Sequence, residues 1–466
     1  MDKVSCWWLS CCLFSPPLFA EISPAVINPA LLSEQQELPA LNGRVALPAT
    51  KPPSGTLTVQ DAVTRAVTWH PTIREAVGKL YEQTEQVDVA KSKYYPQVNA
   101  GMENGYTHDG YDNGFTPSLV LSLSQMLYDF GKVASQVRAE SAGVAQQQAN
   151  VLVSIDTIAH DTALALVQVQ TWQQMVETAK EQLDALSSIG TLARQRNDEG
   201  ASSLSDVVQT EARIEAARAQ LMQYQASLDS SRATLMSYLG WDNLNTVSND
   251  FPQKLGKSCD LAEPDDRLVP AVLAAWAQAN VAQANLDYAN AQMTPTLSLE
   301  PEVRHYLNDR YSGNDVRDRT QYSAWVKVQM PLYQGGGLTA RRNAAGHAVE
   351  AAQSTIQRTR LEVRRDLQES RSQVLSLMST LQIQARQETL SQRTRELYQQ
   401  QYLDLGSRPL LDVLNAEQEV YQARFTQQQT AGQLHQLQLN CLYNTGRLRN
   451  AFSLDNRTIQ SVEIQP

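Results

Sequence analysis

The sequence of 466 residues is poor in aromatic side chains and in positive charge. Aromatic residues make up 7% of the chain, which suits long helices with narrow contact seams better than a single thick core. Lys and Arg number 39 against 49 Asp and Glu, so the formal net charge is −10. Proteins that bind nucleic acids usually carry a basic surface. We therefore expect no nucleic-acid partner.

Cysteine is scarce too, and three of the five cysteines fall within the first 12 residues. Cys259 lies in a polar linker and Cys441 in a helical seam, and we interpret them as free or buried thiols, with a disulfide left open by the sequence. The cysteines and the six scattered histidines show no metal-ligand spacing. The glycines at 335–337 are not followed by the Lys-Ser/Thr of a phosphate loop. The sequence predicts no metal, no cofactor and no catalytic site.

Long apolar runs are confined to the N-terminus. Residues 1–20 combine a positive start, an apolar run at 4–14 and a small residue, Ala20, which is typical of a secretory signal peptide. A lipoprotein signal, lipidated at Cys11 or Cys12, is the weaker alternative. A spanning helix needs roughly 20 apolar residues, and we expect none later in the chain.

The mature chain consists of one unit present twice. A proline-rich lead-in, predicted at 21–56, precedes the first unit at 57–240, a linker at 241–267 separates it from the second unit at 268–446, and a tail at 447–466 ends the chain. Each unit has a helix, two alternating stretches, a long helix and a shorter one. The strands are expected at about 97–106 and 118–127, and again at about 296–306 and 321–330.

The evidence for duplication lies in matching motifs. "YDFGKV" at Tyr128 matches "YQGGGL" at Tyr333, and "GASSLSDVVQTEARIEAARAQ" at Gly200 matches "GSRPLLDVLNAEQEVYQARFT" at Gly406. The period is much longer than that of a solenoid repeat. We expect the two glycines to form the turns between antiparallel helices. The strand-to-helix switches are placed at Tyr128, Gly131, Tyr333 and Gly336.

The length of the strands points to a membrane. About ten alternating residues are what a strand of a membrane β-barrel needs. Four strands cannot close a wide barrel, and open sheet edges do not occur in lipid. The hairpins therefore either join strands of other chains, with a trimer supplying twelve, or pack on the helices of a soluble protein.

These residues resemble the TolC-like outer membrane factors. The resemblance covers about 57–448 and rests on the duplication, on "QMLYDFG" and "MPLYQGGG", and most specifically on "GSRPLLDVLNAEQEVYQAR". It implies a mainly α protein with membrane β-structure, a homotrimer whose 12-stranded outer-membrane barrel continues into a periplasmic α-helical barrel. It also implies contact with outer-membrane lipid, a periplasmic adaptor protein and an inner-membrane ABC transporter or other pump as partners, and no enzymatic activity.

The resemblance also implies a gate at the periplasmic tip. The family's Arg and two acidic residues correspond here to Arg408, Asp412 and Asn415, the last departing from the pattern, and Asp206 is the first-repeat counterpart of Asp412. Three copies of a carboxylate around an axis would concentrate their field, and Arg408 could latch a neighbouring helix. The alternative for Asp206 is a helix-capping box with Ser203, and the alternative for Arg408 and Asp412 is an ordinary helix start at Ser407 and Pro409.

Three functions remain open from the sequence. The "LYDFG" switch resembles the type I secretion branch more than the drug-efflux members, which tend to have a Phe-Asp-Gly-Gly-type turn. The first hypothesis is therefore an exit duct for an unfolded, adhesin- or toxin-like protein. The second is the outer-membrane channel of a multidrug or metal efflux pump, and the third is a periplasmic coiled-coil scaffold.

Overall fold

A computed structural model of the chain describes residues 55–109, 112–244, 246–260, 265–307 and 319–464. The predicted signal peptide, the alternative lipidation sites Cys11 and Cys12, and the lead-in up to residue 54 lie outside the described residues. So do most of the loop of the second hairpin and the last two residues of the tail.

Ten elements form two sets of the same order, preceded by a short helix, α1 (Val59–Trp69). The first set is α2 (Pro71–Ser92), β1 (Gln97–Asp109), β2 (Asp112–Tyr128), α3 (Lys132–Asp198) and α4 (Leu204–Leu239). The second set is α6 (Pro270–Ala291), β3 (Thr296–Tyr306), β4 (Thr320–Gln329), α7 (Gly337–Leu403) and α8 (Leu410–Asn444). The predicted fold class, mainly helical with two β-hairpins in a duplicated unit, is confirmed.

Each set is followed by a trailing segment with short elements. The first holds α5 (Gln253–Gly256) and a 3-10 turn, Ser258–Asp260. The second holds α9 (Leu448–Ala451) and the hairpin of β5 (Arg457–Ile459) and β6 (Val462–Ile464). The first trailing segment packs on α3 and α8, and the second packs on α1 and α3.

The first hairpin is longer than the sequence pattern predicts. The predicted strands stop at about 106 and resume at about 118, but β1 continues to Asp109 and β2 begins at Asp112. Each strand gives the other backbone partners in continuous register, and Tyr106 packs edge-on against Phe115 with ring centroids 5.6 Å apart. Cross-strand pairing therefore overrides the weak strand propensity of Gly, Asp and Asn.

The four long strands form one antiparallel sheet in the order β1-β2-β3-β4. Because side chains alternate across a strand, the register brings apolar residues together on one face. That face carries Val98, Ala100, Met102, Leu119, Leu121, Leu123, Leu297, Leu299, Val303, Tyr322, Ala324, Val326 and Val328. The opposite, polar face carries Gln97, Asn99, Glu103, Ser118, Ser122, Glu300, Glu302, Arg304 and Lys327.

The hydrophobic core is built around α3, which packs against α2, α4, α6 and α8. One 18-residue window of α3 is long and apolar enough to cross a membrane, with mean hydropathy 1.2, so the expectation of no such later segment was wrong. The window is 56% buried inside the fold. An interior helix passes the same test, and burial accounts for the apolar character of α3.

Cys259 and Cys441 form a disulfide, so the interpretation as free thiols was wrong. The first trailing segment folds back onto α8, where Ser258 Oγ donates to the backbone oxygen of Gln438 at 2.6 Å and Gln438 Nε2 donates to that of Gly256 at 2.9 Å. These contacts bring the two Cα atoms to 5.2 Å across 182 residues of sequence. Local sequence context carries no sign of that approach.

Candidate functional site

The turn between α3 and α4 and the turn between α7 and α8 lie side by side, and we call this end of the molecule the helical tip. Both turns use a glycine with positive φ, +75° at Gly200 and +57° at Gly406. The guanidinium of Arg196 lies 4.5 Å from the ring centroid of Tyr402 and donates to its backbone oxygen at 3.2 Å. A small core joins the helices there, formed by Leu186, Ile189, Ala193, Ile214, Ala217, Tyr402, Leu410, Val413 and Leu414.

Arg408 connects the two helices of the second turn. Its Nη1 donates to Oδ2 of Asp412, in the first turn of α8, at 3.0 Å. Its Nε donates to Oε1 of Gln401 on α7 at 3.1 Å. The guanidinium also lies 4.1 Å from the ring centroid of Tyr398. Both charged side chains are about one-third exposed. Within one chain, the carboxylate partner of Arg408 is thus its own Asp412.

Asn415 lies on the same face of α8 as Asp412 and points to a different helix. Its Oδ1 accepts a hydrogen bond from Nη2 of Arg213 on α4 at 3.2 Å, and Arg213 also contacts Gln418. The position where the family pattern has a carboxylate therefore holds a neutral acceptor for an arginine. The sequence alone gave no signal for Arg213, because the pair is separated by 202 residues.

Asp206 caps α4. Its backbone N–H donates to Ser203 Oγ at 3.3 Å, while its carboxylate Oδ2 accepts from the Ser203 N–H at 3.3 Å and from Ser202 Oγ at 2.7 Å. This is the capping box that the sequence offered as the alternative. The structure does not bring Asp206 into the Arg408–Asp412 pair, since its carboxylate faces the serines of its own turn in the part of the chain described.

A charged layer crosses the helices about two turns from the tip. Glu417 of α8 is almost fully buried and accepts hydrogen bonds from Arg395 at 3.5 Å and Gln399 at 3.2 Å. Burial raises the pKa of the Glu417 carboxyl, and Arg395 opposes that rise. Arg424 contacts Glu388 of α7 at 3.0 Å and Glu181 of α3 at 2.9 Å. Sequence reasoning missed this layer because its partners lie on three helices.

At the first strand-to-helix switch, Gly131 begins α3 with φ +90°, and Phe130 before it has φ +55°. The buried carboxylate of Asp129 accepts from the N–H groups of Gly131 at 2.9 Å and Val133 at 2.6 Å, which satisfies backbone donors at the start of the helix. Tyr128 is exposed and packs edge-on against Phe130. Asp129 was not among the predicted switch residues.

The second switch has the same backbone with other side chains. Gly336 begins α7 with φ +81°, preceded by Gly335 at +60°. The N–H of Gly337 donates to the backbone oxygen of Gln334 at 3.0 Å. Tyr333 is 85% exposed. Both switches therefore expose an aromatic ring where the sheet ends.

Exposed aromatic rings bound the apolar face of the sheet. Tyr128, Phe130 and Tyr333 lie at the helix end, and Tyr106, Phe115 and Tyr322 lie towards the hairpin loops. From Tyr322 to Met330 the chain extends about 27 Å at roughly 3.4 Å per residue. Tilted by roughly 35–45°, such a strand covers about 20 Å along the membrane normal, and an apolar band of that order between aromatic girdles is typical of the outer surface of an outer-membrane barrel.

No metal site accompanies these features: among the described residues, no group of three or more His, Cys, Asp or Glu side chains is placed to hold an ion. The polar groups at the tip are arranged as inter-helix ties, and the aromatic groups mark a membrane boundary. The arrangement suits a passage between compartments.

Comparison with known proteins gives the family. The model of the family described as outer membrane efflux protein matches residues 63–241 and 268–446. The chain is 26% identical over 351 residues to the outer membrane efflux protein BepC of Brucella suis, covering 72% of this chain and 74% of BepC. It is 25% identical over 278 residues to the proteases secretion protein PrtF of Dickeya chrysanthemi, covering 53% and 55%.

The fold agrees with that of a solved outer membrane protein. The crystal structure of the outer membrane protein VceC from Vibrio cholerae superposes with a TM-score of 0.71 at 16% identity, covering 83% of this chain and 96% of VceC. A class of outer-membrane channels with helical extensions is thereby defined, and the chain belongs to the TolC-like outer membrane efflux protein family. This family consists of channels and not of enzymes, and its place is the outer membrane, with the helices in the periplasm.

Proposed function

We propose that this protein is the outer-membrane exit duct of a type I secretion system, passing an unfolded adhesin- or toxin-like protein out of the cell. In this proposal three copies form the duct, and a periplasmic adaptor and an inner-membrane ABC transporter supply the cargo and the energy. The observation that carries the proposal is the sheet: it has an apolar face between aromatic girdles and two outer strands, β1 and β4.

The outer strands support assembly with other copies. Each has a partner on one side only within the described sheet, and lipid offers no hydrogen bonds to the remaining backbone groups. Closure of three such sheets gives twelve strands, which removes every edge. On β4, Val326 and Val328 are each about two-thirds exposed in the single chain, as expected of a lipid-facing strand.

The surface of α7 supports the same assembly. Large apolar residues at heptad spacing, Ile383, Leu390 and Leu397, are exposed along it. In a monomer these side chains would be left in water. A neighbouring helix in a periplasmic helical barrel would cover them.

The nature of the cargo is supported by the relatives and by the first switch. PrtF is by name a secretion protein for proteases, and the chain aligns with it over 53% of its length. The first switch reads Leu-Tyr-Asp-Phe-Gly, with Phe130 where the Phe-Asp-Gly-Gly turn of drug-efflux members tends to have a glycine, while the aspartate is common to both.

The first experiment compares the proteins in the culture medium of strains with and without the gene. Loss of one large protein from the medium, restored by the gene on a plasmid, supports secretion and names the cargo. An unchanged medium in the deletion strain overturns it. A matched strain lacking only the ABC transporter should lose the same protein.

Efflux of small molecules is the second candidate, favoured by the similarity to BepC, which is named an efflux protein. If the medium is unchanged and the deletion strain becomes sensitive to drugs or metal ions, this candidate replaces secretion. The channel itself is common to both.

We further propose that Arg408 and Asp412 hold the periplasmic aperture closed, with Asn415 and Asp206 lining it. Arg408 ties α8 to α7 through Gln401 and Tyr398, so its loss frees the tip helices. In planar bilayers, Arg408→Ala and Asp412→Ala should each raise the resting conductance. Arg393→Ala, which breaks an exposed pair with Glu396 on α7, is the matched control. Unchanged conductance in both tip variants would remove the gate assignment.

A further inference from the structure

A cavity of about 400 Å³ lies where the sheet meets the helices, lined by residues of α3, α6 and α7, by Lys93 just after α2 and by the adjoining strand ends. We propose that it is a binding site for oxyanions, and that in the duct it holds carboxylates of an acidic polypeptide in transit. The inference rests on the proposed function for the identity of the cargo. The site itself rests on charge and geometry.

The cavity opens on the polar face of the sheet. Thr296, the first residue of β3, lines it. Since side chains alternate along a strand, Thr296 shares its face with Ser298, Glu300 and Glu302 and not with the apolar Leu297 and Leu299. In a closed barrel with its apolar face to lipid, the polar face and this cavity line the lumen.

Three cations line the cavity together with one carboxylate. Lys93 Nζ donates to Oε1 of Gln136 at 2.6 Å, and Lys132 Nζ donates to Oγ1 of Thr296 at 2.7 Å, so both ammonium groups have neutral hydrogen-bond partners. Arg341, the third cation, is exposed and has no ion pair among the described residues.

The carboxylate belongs to Asp129, and its two oxygens are already occupied. They accept from the N–H groups of Gly131 and Val133 at the start of α3. Asp129 therefore acts as a helix cap and makes no direct ion pair with the cavity lysines. An incoming carboxylate or phosphate would meet an excess of positive charge.

The charged side chains on the polar face of the sheet differ, because they form ion pairs with one another. Arg304 contacts Glu103 at 2.8 Å and Glu302 at 3.0 Å, and Lys327 contacts Glu300 at 3.7 Å. Cations there are held in ion pairs, whereas those at the junction make no direct ion pair among the described residues, although the Asp129 carboxylate attracts Lys132. Unpaired ammonium and guanidinium groups bind carboxylates and phosphates through charge-assisted hydrogen bonds. Repetition of the cavity around a threefold axis would place a positive ring between the helical and the β parts of the duct.

The test is the block of purified channels in planar bilayers by a hexaglutamate peptide, with hexalysine as the probe of opposite sign. We expect reversible block by hexaglutamate alone. The double variant Lys93→Gln/Arg341→Gln should shorten the blocked dwell time roughly threefold to tenfold, because two partly exposed ion pairs are lost. The matched control is Arg342→Gln, which changes the adjacent exposed arginine outside the cavity lining. Hexaglutamate should block this variant with the same dwell time as the wild type.

Equal dwell times in the double variant and the wild type, or equal block by hexalysine, would overturn the site. Competition by inorganic phosphate distinguishes the sources: displacement of the peptide shows that a free oxyanion also fits, and no displacement restricts the site to peptide carboxylates. Calorimetry of hexaglutamate binding to the detergent-purified protein separates this inference from the proposed function. Loss of binding heat in the double variant supports the site even if export of a protein is not found.

Discussion

The two long helices α3 and α7 have the same length, 67 residues, and equivalent places in the two repeats, yet they differ in burial. Twenty-five residues of α3 are buried and only seven of α7. Counting from the matched Tyr128 and Tyr333, Asp156 of α3 is equivalent to Leu361 of α7. The aspartate is buried in an ion pair, and the leucine is two-thirds exposed.

The two repeats thus keep the same helix length, while α3 is buried within the chain to a much greater extent than α7. α3 has become the interior helix of the single chain, tied to the second trailing segment by the buried pair of Asp156 and Arg449 at 2.7 Å. α7 keeps its apolar residues at the surface, where the proposed assembly would cover them with a neighbouring copy. A repeat can thus stay recognisable in sequence while its side chains stabilise different levels of assembly.

The largest effect should come from removing the buried carboxylate with Asp156→Ala. Arg449 would lose its closest partner in a site that is nearly closed to water, which costs about 3–5 kcal/mol. Leu361→Ala should leave the monomer's unfolding unchanged and weaken only the assembly. Thermal unfolding in detergent at several protein concentrations separates the two, since only the assembly depends on concentration. Equal, concentration-independent shifts in both variants would contradict the different roles of α3 and α7.

The disulfide tests the opposite connection, from the first trailing segment to α8. Replacing both cysteines, Cys259→Ser with Cys441→Ser, should lower the free energy of unfolding by about 2–5 kcal/mol. The reason is that the unfolded chain gains conformational entropy when the covalent link is lost. Reduction of the wild type with dithiothreitol should shift its unfolding midpoint to that of the double variant. A double variant that is itself sensitive to the reductant would show that the shift has another origin.

The two switches give a smaller and sharper comparison. Asp129→Ala removes the acceptor of two N–H groups at the start of α3 and should cost about 0.5–2 kcal/mol, as loss of a helix cap does. Gln334→Ala at the equivalent position of the second switch should be nearly neutral, because Gly337 there bonds to a backbone oxygen. Chemical denaturation of the two variants measures the difference. A larger loss for Gln334→Ala would reverse the assignment.

The smallest effect concerns pH. His435 of α8 stacks on Phe251 of the first trailing segment with ring centroids 3.9 Å apart, and burial lowers its pKa from 6.5 to about 4. The folded chain binds this proton less readily than the unfolded one, so stability is full above the unfolded pKa and is lost as pH falls towards the folded one. Between about pH 7.5 and about pH 5.5 we expect a loss of about 1 kcal/mol.

The matched variant for this prediction is His435→Gln, which cannot gain the proton. The stability difference between wild type and variant, followed by thermal unfolding across that pH range, isolates the histidine from Asp156, whose pKa burial raises to about 7. A difference that stays constant with pH would show that His435 is protonated as easily in the folded chain as in the unfolded one.

The sequence predicts what is encoded locally. Three local patterns each involve only a few residues: the alternation along Tyr322 to Met330, the glycine at each turn and the serine–aspartate spacing at the start of α4. The fold class and the helix cap could therefore be predicted from the sequence. Matched motifs made the duplication visible, and the family followed from it. The extension of β1 and β2 through a polar stretch was missed, because each strand there is stabilised by the other and not by its own composition.

The rest depends on contacts across great sequence distance. Arg213 meets Asn415, Cys259 meets Cys441 and Arg449 meets Asp156 only after the two repeats pack together. The sequence around each of these residues does not distinguish it from an exposed polar residue or a free cysteine. For the proposed aperture, the sequence predicted Arg408 and Asp412 but not Gln401 and Tyr398, which contact the arginine from α7.

The outer strands β1 and β4 also bear on how the protein reaches its place. A newly exported chain that folds its sheet early offers two rows of backbone donors and acceptors, and such edges recruit any extended segment they meet. Pairing of these edges with other copies of the chain therefore competes with aggregation. We expect the helices to tolerate delay in the periplasm, while the hairpins depend on chaperones until the bilayer receives them.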